Sequence, residues 1–505
     1  MTNSITTIIP AAGLSSRLRP ISNFTSKSMI PVNGKPTISY IIDQVKEYSD
    51  DIRIVYGKSD DIMQYCKRAY PDLPISFYHQ ENPKGPLHAL SCALEDADSE
   101  CTTRDLLVWL GDTIVLDYYP SEKASEVVYG EVDDWERWCL IDNHGKLHDK
   151  PSYNPKTNKA LVGIYKFPNF FNSSKSIKEI INNKSTINGE YQISQLIEEY
   201  NDILQTRTRE WYDCGDFPSL YESRAKLLNR LSRDDNSISV DTITGTITKS
   251  GKRCRSEIEW YKTVPSSIKP FLPTIYKMND YSYTMDYCPG TSLQDILVYE
   301  KLKDDTIEYT LNKVLQVYDI CFIDNQQTSF NKSSLYMWID KNLDRFKDYE
   351  KYEFIDKNDL LFVESVVESK SFKSIIEQNN FVNTVHGDLH FGNILFDYNT
   401  GKVKLIDPRG NWNNCITTNG DIEYDIAKMY QSCFCEYMWI VNNMQVDYQL
   451  KVKLISILDN RFSNSKNHKI RACIMMASCL PFHNDNKERQ KRIWNTSIKL
   501  LKRLV

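Results

Sequence analysis

Short hydrophobic runs alternate with amphipathic stretches in the first half of the chain. The segments ITTIIPAAG, DIRIVYG, ISFYHQ and DLLVWLGDTIV are short and apolar, which predicts buried strands. PTISYIIDQVKEY and PLHALSCALEDA show the spacing of apolar positions that is typical of helices. This alternation predicts βαβ units and a Rossmann-like, mostly parallel sheet in an α/β fold.

The pattern changes near residue 228, where the polar stretch LNRLSRDDNS begins. Short strands follow in SISVDTITG, TITKSG and YSYTMDYC, and SEIEWYKTVP between them predicts a helix ending at Pro265. Helical patterns dominate the rest of the chain. The predicted boundaries are 1–228 for the first domain, 229–235 for a junction, and 236–505 for a bilobal α+β domain with a small lobe at 236–290 and a large helical lobe at 291–505.

Composition limits the possible partners. The chain has 505 residues, too many for one ordinary core, and its formal net charge of -5 gives no reason to expect nucleic acid or an anionic membrane as partner. The 13 cysteines lack zinc-site spacing, which indicates free thiols in a reducing cytoplasm. No signal-peptide pattern and no membrane-spanning apolar run is found. We predict a cytoplasmic protein with small-molecule partners, and a homo-oligomer stays open.

A glycine-containing loop follows the first predicted strand. Backbone N–H groups in such a loop can bind phosphates. The residues assigned to this site are Ala12 and Gly13 in the turn, Ser15 and Ser16 as hydroxyl donors, and Arg17 and Lys27 as cations that neutralise a triphosphate. The loop therefore predicts nucleotide binding.

Four further positions strengthen this prediction. Gln80 precedes a second glycine loop, at Gly85, that opens a helix. Asp112 ends a hydrophobic strand, where α/β sheets bind ligands, and Asp213 in WYDCGD is a second candidate for the same metal ion. Mg²⁺ prefers one or two carboxylates together with phosphate oxygens. A site for Mg²⁺ and a nucleotide is expected here.

Residues 5–225 resemble the nucleotidyltransferases that activate sugar phosphates. The shared segments, in that family's order, are AAGLSSRLRP, SKSMIPVNGKP, GPLHAL, LGD, DKP, VGIYKF, NGEYQIS and WYDCGD. The resemblance implies that Lys27 contacts the triphosphate and that Gln80 and Gly85 line the base pocket. It also implies that Asp112 and Asp213 hold Mg²⁺. On the acceptor side, Asp112 and Lys150 lie at the incoming substrate, with Lys150 on its phosphate, and Glu190 lies on the sugar side. The implied reaction is in-line attack of a substrate phosphate on the α-phosphorus of an NTP, which can be CTP, UTP, GTP or dTTP.

Three positions depart from that family. Ser15 stands where many relatives have a second glycine, and Ser26 replaces the proline that usually precedes the catalytic lysine. Cys139 falls where hexose-activating relatives often carry a glycine against the sugar, which favours an acceptor other than an ordinary hexose 1-phosphate. The surrounding EVDDWERWC places acids beside two tryptophans, which could cage a quaternary ammonium or form a strand with one packed face.

A second constellation lies near the other end of the chain. HGDLHFGN spaces Asp388 and Asn393 five residues apart, and KLIDPRG places Asp407 after an apolar strand. Asp388 can accept a proton from an attacking hydroxyl or orient it, while Asn393 and Asp407 can hold Mg²⁺ against nucleotide phosphates. This combination predicts phosphoryl transfer.

Residues 236–505 resemble the aminoglycoside phosphotransferase and choline kinase group, as the HGDLH loop and the lack of a GxGxxG loop indicate. The resemblance implies ATP as the phosphoryl donor. In the nucleotide site, the resemblance implies that Lys249 contacts the ATP phosphates, with Lys252 close by, and that Glu257 or Glu259 is the helix partner of Lys249. Asp286 and Tyr287 would form a hinge that contacts adenine through backbone groups. Asp425 would brace the catalytic loop, and His386 would support the geometry of that loop.

We therefore predict a bifunctional enzyme. The second domain would phosphorylate a sugar or polyol with ATP, and the first would join that phosphate to an NMP, with Mg²⁺ in both domains. The product would be a nucleotide-activated sugar for surface-glycan assembly or salvage. One alternative is a choline- or ethanolamine-type kinase with a cytidylyltransferase that gives a CDP-amino alcohol. In the other, one domain is non-catalytic and regulatory.

Overall fold

The computed structural model describes residues 4–19, 22, 25–94, 104–122, 125–187, 189–230, 237–241, 243–288, 291–300, 302–323, 331–378, 380–397 and 400–505. The chain divides into two compact units, Met1–Leu227 and Leu228–Val505. The predicted junction at 229–235 begins inside a helix that ends at Arg230, and its residues 231–235 lie outside the described residues.

The N-terminal unit alternates strands and helices, as its hydrophobic pattern predicts. Its strands are β1 (Ser4–Ala11), β2 (Pro31–Val32), β3 (Lys35–Pro36), β4 (Asp51–Tyr56), β5 (Ile75–His79), β6 (Arg104–Trp109), β7 (Thr113–Val115), β8 (Glu126–Glu131), β9 (Cys139–Ile141), β10 (Leu147–Asp149), β11 (Lys159–Phe167), β12 (Leu204–Arg207) and β13 (Trp211–Asp213). Its helices are α1 (Thr37–Val45), α2 (Asp61–Ala69), α3 (Pro86–Cys92), α4 (Phe170–Asn182), α5 (Ser194–Ile197) and α6 (Phe217–Arg230).

A nine-stranded sheet organises this unit. Its main path is β10–β9–β11–β6–β1–β4–β5, with β8 beside β11 and β12 beside β8. The strands β6, β1, β4 and β5 are parallel to one another, whereas β11 is antiparallel to β6, β8 and β9. The predicted parallel, Rossmann-like sheet is thus confirmed for the half that carries the glycine loop, and the other half is mixed.

The carboxyl ends of the parallel strands meet at one edge of the sheet. The strand β1 is buried through Ile8 and Ile9 and ends at Ala11, and β4 and β5 end beside it at Tyr56 and His79. Parallel strands carry their following loops at the same edge, which is where α/β sheets bind ligands. The glycine loop therefore lies among the loops after β4 and β5.

One predicted strand is two strands in the structure. DLLVWLGDTIV is continuous in its apolar pattern, but β6 pairs with β1 while β7 pairs with β13 in a separate two-stranded sheet. The turn between them passes close to other backbone, because a Cβ on Gly111 would lie 2.6 Å from Ser28 Oγ and 3.0 Å from the carbonyl oxygen of Pro10. This turn carries Asp112 away from the main sheet.

The C-terminal unit begins with strands and continues mainly with helices. Its strands are β14 (Ser237–Asp241), β15 (Thr246–Ser250), β16 (Ile275–Met278), β17 (Ser282–Asp286), β18 (Thr291–Ser292), β19 (Phe381–Val382), β20 (Ile394–Asp397), β21 (Lys402–Leu405), β22 (Asn411–Trp412), β23 (Cys415–Ile416) and β24 (Gly420–Asp421). Its helices are α7 (Cys254–Thr263), α8 (Leu293–Tyr299), α9 (Asp304–Tyr318), α10 (Ser333–Leu335), α11 (Lys341–Phe346), α12 (Lys357–Glu368), α13 (Lys370–Glu377), α14 (Ile422–Cys433), α15 (Tyr437–Val441), α16 (Tyr448–Arg461), α17 (Ser465–Ala477) and α18 (Lys487–Leu501).

The first strands of this unit form a four-stranded antiparallel sheet in the order β14–β15–β17–β16. The helix α7 follows β15, as predicted for SEIEWYKTVP, and ends two residues before Pro265. In the helical part, Trp439 on α15 and Trp494 on α18 are fully buried. The helix α18 is thus amphipathic, and its apolar face belongs to the core. Among the described residues, no helix is long and apolar enough to cross a membrane.

Candidate active sites

A cavity of about 630 Å³ lies at the carboxyl ends of β1, β4 and β5. Three residues predicted for nucleotide binding line it, namely Ala12, Gly13 and Ser15. It is also lined by residues that the sequence did not single out, including Arg19, Thr25, Tyr56, Lys58, Asp60 and His79. The glycine loop therefore borders a space large enough for a nucleotide.

The glycine loop turns sharply after β1. Ser15 adopts a left-handed conformation with φ 52° and ψ 33°, and a 3₁₀-helix, Ser16–Leu18, follows it. The hydroxyl of Ser15 donates to the carbonyl oxygen of Gly13 at 3.1 Å. A Cβ on Gly13 would meet nothing within 4 Å, and Ser16 and Arg17 are exposed. Loop backbone and cationic side chain are therefore accessible to a ligand.

Lys27 lies beside a carboxylate. Its Nζ is 2.5 Å from Oδ2 of Asp112. The preceding Ser26 is held by Asp61 at the start of α2, because Oδ2 of Asp61 accepts from the Ser26 N–H at 2.7 Å and from the hydroxyl of Thr25 at 2.9 Å. Asp61, which the sequence did not single out, therefore fixes the backbone where relatives carry a proline.

Asp112 and Asp213 are brought together by the short β7–β13 pair, in which Asp213 lies opposite Thr113. Burial and the nearby charge of Asp112 raise the pKa of Asp213 to about 6. Burial also opposes the ionisation of Asp112, but Lys27 and Arg17 hold the pKa of Asp112 below its usual range. The two hard oxygen donors and their mutual repulsion fit a Mg²⁺ ion, which accepts one or two carboxylates.

Arg137 is a further cation at this site. Its Nη2 lies 3.1 Å from Oδ2 of Asp213 and 2.9 Å from Oδ2 of Asp216. Its guanidinium lies 4.6 Å from the centre of the Trp138 ring, which also packs edge-on against Trp211 with centroids 4.8 Å apart. The ring face of Trp138, which was predicted to bind a quaternary ammonium, is thus covered by Arg137.

The two residues predicted for the base pocket lie on one loop, between the end of β5 and the start of α3. Gln80 is buried, and its Nε2 lies 2.6 Å from Nδ1 of His88 on α3. Gly85 precedes α3 with φ 107°, and a Cβ there would lie 2.5 Å from the carbonyl oxygen of Tyr191. Only glycine fits this close approach, which brings Glu190 and Tyr191 against the loop before α3.

Glu190 and Lys150, predicted on the acceptor side, are both exposed. The carboxylate of Glu190 accepts from Nε2 of Gln192 at 2.9 Å. The backbone N–H of Lys150 donates to the carbonyl oxygen of Trp138 at 2.9 Å, and its φ is 44°. Within the described part of the chain, neither side chain makes a hydrogen bond or ion pair with Lys27, Asp112 or Asp213. The structure therefore groups these last three residues and leaves Lys150 and Glu190 apart from them.

In the C-terminal unit, Lys249 on β15 contacts two carboxylates. Its Nζ lies 2.9 and 2.8 Å from the two carboxylate oxygens of Glu257 on α7 and 3.1 Å from Oδ1 of Asp407. Although burial opposes the charge of Lys249, these two carboxylates raise its pKa. Glu259, the other predicted partner, pairs with Lys262 at 2.8 Å. Lys249 therefore joins the small sheet, α7 and the loop of Asp407.

A hydrogen-bonded pair of loops carries the predicted metal ligands. Asn393 donates from Nδ2 to the carbonyl oxygen of Asp388 at 2.9 Å, and its own carbonyl oxygen accepts from Ile406 at 3.0 Å. The next residue, Asp407, has φ 57°, a strained conformation for an aspartate that occurs at functional sites. The amide oxygen of Asn393 and the carboxylate of Asp407 are hard donors that fit Mg²⁺.

Asp388 is paired with Lys428 on α14, Oδ1 to Nζ at 3.0 Å. Burial opposes the ionisation of Asp388, but Lys428 and His390 hold the pKa of this carboxyl well below its usual range. The sequence analysis missed Lys428. It lies three residues after Asp425, which is one helical turn, and that spacing was the available signal.

Asp425 lies beneath the HGDLHFGN loop, and His386 is the first residue of that loop. The two carboxylate oxygens of Asp425 accept from the N–H groups of His386 and Gly387, both at 2.8 Å. The ring of His386 is fully buried against Trp260 with centroids 6.2 Å apart, and burial lowers the pKa of His386 to about 4. Asp425 thus holds the loop backbone by hydrogen bonds, whereas the ring of His386 contributes packing.

The predicted hinge lies at the end of β17. The backbone N–H of Asp286 donates to Thr274 at 3.0 Å and that of Tyr287 to Gly245 at 2.9 Å, each to the carbonyl oxygen. The carboxylate of Asp286 accepts from the hydroxyl of Tyr276 at 2.6 Å. Both backbone donors are used within the unit, so a contact with adenine at these two residues would use their carbonyl oxygens.

Residues 7–119 match the family model described as the MobA-like NTP transferase domain. The chain is similar to the UTP–glucose-1-phosphate uridylyltransferase AglF of Haloferax volcanii, with 29% identity over 38% of this chain and 81% of that protein. It is also similar to the bifunctional protein GlmU of Methanocaldococcus jannaschii, with 31% identity over 45% of this chain and 55% of that protein.

A solved structure named as a glucose-1-phosphate thymidylyltransferase from Bacillus anthracis is similar as well, with 26% identity over 44% of this chain and 95% of that chain and a TM-score of 0.39. The cavity, the Lys27–Asp112 contact and the family match all fall in the first unit. The N-terminal unit therefore contains a MobA-like NTP transferase domain, and sugar nucleotidyltransferases are among the homologues of the chain.

Proposed function

We propose that the N-terminal unit transfers an NMP from an NTP to the phosphate of a small sugar-type substrate and releases pyrophosphate. The observation that carries the proposal is the 2.5 Å contact between Lys27 and Asp112 next to the glycine loop. The family match over residues 7–119 and the relative named as a UTP–glucose-1-phosphate uridylyltransferase support it.

The chain's own residues have separate parts in this reaction. Lys27 and Arg17 neutralise the triphosphate, and the left-handed turn at Ser15 presents loop N–H groups to it. Asp112 and Asp213 would hold Mg²⁺, which supplies further charge neutralisation when bound. The acceptor phosphate itself is the nucleophile, so the protein contributes positioning and electrostatic stabilisation.

We further propose that the C-terminal unit phosphorylates a hydroxyl of a small metabolite with ATP. Lys249, held by Glu257, would contact the ATP phosphates, while Asn393 and Asp407 would hold Mg²⁺. The low pKa of Asp388 keeps its carboxylate ionised but makes it a weak base. Asp388 would therefore chiefly orient the attacking hydroxyl, which suits a loose transition state.

The two activities form one sequence in this proposal, in which the phosphate made by the C-terminal unit is the acceptor for the N-terminal unit. A sugar or polyol is the preferred metabolite over an amino alcohol, because Arg137 already covers the Trp138 ring. A regulatory role for one unit is disfavoured, since Asp112 and Asp388 each lie within 3.0 Å of a lysine Nζ.

Separate assays of the two half-reactions test the proposal. Pyrophosphate release is screened with four NTPs against phosphorylated sugars, polyols and amino alcohols, and ADP release against the unphosphorylated compounds. Asp112→Ala should abolish only the first activity and Asp388→Ala only the second. The half-buried ion-pair residues Asp43 and Asp359 provide matched alanine controls. If either test variant keeps both activities, the assignment for that unit is wrong.

A further inference from the structure

Four cationic side chains of the C-terminal unit surround one buried tyrosine, Tyr424 on α14. Burial opposes the ionisation of its hydroxyl, but these cations lower the pKa of Tyr424 to about 7. The four cations are Lys341, Arg345, Arg409 and Lys428. Arg409 donates from Nη1 to the Tyr424 hydroxyl at 3.1 Å, and its guanidinium lies 5.5 Å from the centre of that ring. Lys428 follows Tyr424 by one turn of α14 and so shares its helix face.

The other two cations come from α11. Lys341 and Arg345 are four residues apart and lie on one face of this helix. Trp338, just before α11, packs its ring against Tyr424 with centroids 5.2 Å apart, which brings the start of α11 beside the tyrosine. Arg345 donates from Nη1 to the carbonyl oxygen of Ser478 at 3.2 Å, which holds it in place.

Negative charge does not balance this cluster. Across the residues that the structure describes, Lys341, Arg345 and Arg409 have no carboxylate within ion-pair distance, and Lys428 has Asp388 alone. Burial lowers the pKa of Lys341 to about 8, and the neighbouring cations contribute to the same shift. An anion between these side chains would relieve that repulsion and gain several charge-assisted hydrogen bonds.

The nearest acids on α14 are engaged elsewhere. Glu423 pairs with His468 at 3.0 Å and with Arg471 at 3.6 Å. Asp425 accepts from the backbone of the catalytic loop. Neither carboxylate is therefore available to neutralise the cations around Tyr424, and the site keeps an excess of positive charge.

We infer that Lys341, Arg345, Arg409 and Lys428 form a subsite for an anionic group on the molecule whose hydroxyl is phosphorylated. The acceptor is then a sugar acid or a sugar that already carries a phosphate, and not a neutral polyol or an amino alcohol. Asp388 lies 3.0 Å from Lys428 and 39% of its side chain is exposed, so the hydroxyl and the acid group can belong to one small molecule. This inference rests on the proposed kinase function.

Calorimetric titration of the full-length protein tests the subsite with matched compounds. D-gluconate is compared with sorbitol, glucose 6-phosphate with glucose, and choline is the cationic member. We expect binding of at least one anion, with the carboxylate and phosphate arms showing which acid group fits, and no binding of the neutral and cationic compounds. Equal binding of a neutral partner or of choline, or no binding of either anion, overturns the inference.

Variants connect the binding to the cluster. The double variant Lys341→Met and Arg345→Met should weaken anion binding by roughly tenfold to a hundredfold, as expected for lost charged hydrogen bonds. Lys373→Met, an exposed lysine on α13, is the control and should bind as the wild type does. If the double variant melts early, the single Lys341→Gln is used instead. Unchanged anion affinity in the variants, or a matching loss of ATP affinity, would assign the cluster another role.

ADP release separates failure of this inference from failure of the kinase proposal. If an anion binds through the cluster but ATP is not consumed with any acceptor, the subsite stands and the kinase function fails. If ATP is consumed equally well with a neutral or cationic acceptor, the kinase function stands and the anionic subsite fails.

Discussion

Asp213 in the N-terminal unit and Asp388 in the C-terminal unit are carboxylates at candidate phosphate sites, and their surroundings act on them in opposite directions. Burial and neighbouring Asp112 raise the pKa of Asp213 to about 6. For Asp388, Lys428 and His390 outweigh burial and hold the pKa well below its usual range. Asp213 therefore still takes up a proton near pH 6, whereas Asp388 stays ionised well below that pH.

The lysines of the two sites differ in the same way. Lys27 has a single carboxylate partner, and 18% of its side chain is exposed. Lys249 has two, Glu257 and Asp407, and 6% of its side chain is exposed. A lysine with one partner can turn to a nucleotide at small cost, while one held by two partners is already positioned. We infer that the N-terminal site is organised by its substrates and the C-terminal site by the protein.

The largest expected effect comes from removing the lysine that pairs with Asp112 in the N-terminal site. Lys27→Met leaves Asp112 and Asp213 together without the lysine, and it removes charge stabilisation of the transferring phosphate. Pyrophosphate release should fall by about 10²- to 10³-fold, the size seen when one stabilising donor is lost. Lys46→Met, which loses a surface ion pair with Asp43, is the control and should keep the wild-type rate. A loss smaller than about fivefold in Lys27→Met would contradict the assigned role.

Lys428→Met has the next largest expected effect. It removes the ion pair that holds the pKa of Asp388 low, and Asp213 has a raised pKa in its place in the other unit. ADP release should fall by roughly tenfold to a hundredfold as the orientation of Asp388 is lost. The free energy of unfolding should fall by about 1 kcal/mol at pH 7, a value discounted for the exposure of Asp388.

This stability loss has a defined pH dependence. A carboxyl whose folded pKa is depressed stabilises the fold above its unfolded pKa and loses that contribution as the pH falls. The difference between the wild type and Lys428→Met should therefore be full at pH 7 and should shrink below about pH 4. Lys469→Met, which breaks a similar ion pair with Asp459, controls for stability without touching the loop. A pH-independent difference would show that Lys428 does not act through Asp388.

The sequence predicted the members of both sites that belong to local patterns. The turn after β1, Asp112 after β6 and the HGDLHFGN loop carry glycine, charge and an apolar strand within a few positions. The HGDLHFGN loop is a specific pattern, whereas the turn and Asp112 indicate a site only in combination. Arg137 and Lys428 are single charges without such a context. Arg137 lies 76 residues from Asp213 in the chain, and only the fold brings the two together.

The dependence on contacts between distant residues also explains why DLLVWLGDTIV was predicted as one strand and not two. An apolar run reports burial, and DLLVWLGDTIV is buried on both sides of its turn. What divides it is the close approach of Gly111 to Ser28, which is a tertiary contact. The prediction of a mostly parallel sheet did not specify which strands run antiparallel, because strand direction depends on the path of the connecting chain.

Asp213→Asn tests the carboxylate whose pKa is raised, in contrast to Asp388, whose pKa is lowered. A carboxyl whose folded pKa is raised destabilises the fold once the pH exceeds its unfolded pKa, and this cost is complete above about pH 6. In EDTA, the variant should therefore be more stable than the wild type by about 1 to 2 kcal/mol at pH 8, since Arg137 already offsets part of the repulsion. The gain should vanish near pH 4.

Magnesium gives Asp213→Asn its control. If Asp213 holds the metal, adding Mg²⁺ should stabilise the wild type more than the variant, and pyrophosphate release should fall in the variant. Asp216→Asn loses a contact with the same arginine but has a lowered pKa, so it should show no gain in stability at pH 8. A gain of equal size in both variants would trace the effect to Arg137 and not to Asp213.

Ser15→Gly is the smallest expected change and concerns how the N-terminal site is preorganised. Ser15 holds φ 52°, a conformation that costs a side-chain-bearing residue about 1 kcal/mol and glycine almost nothing. Glycine also gains entropy in the unfolded chain, which offsets part of this, so the net stabilisation should be about 0.5 kcal/mol or less. Ser15→Ala keeps the strain and loses the hydroxyl bond to Gly13, so it should be slightly destabilised. If the hydroxyl binds the nucleotide, both variants should raise the KM for the NTP while kcat is kept. If only Ser15→Ala raises it, the turn geometry is what the substrate needs, and the serine is a tolerated substitute for the glycine of related proteins.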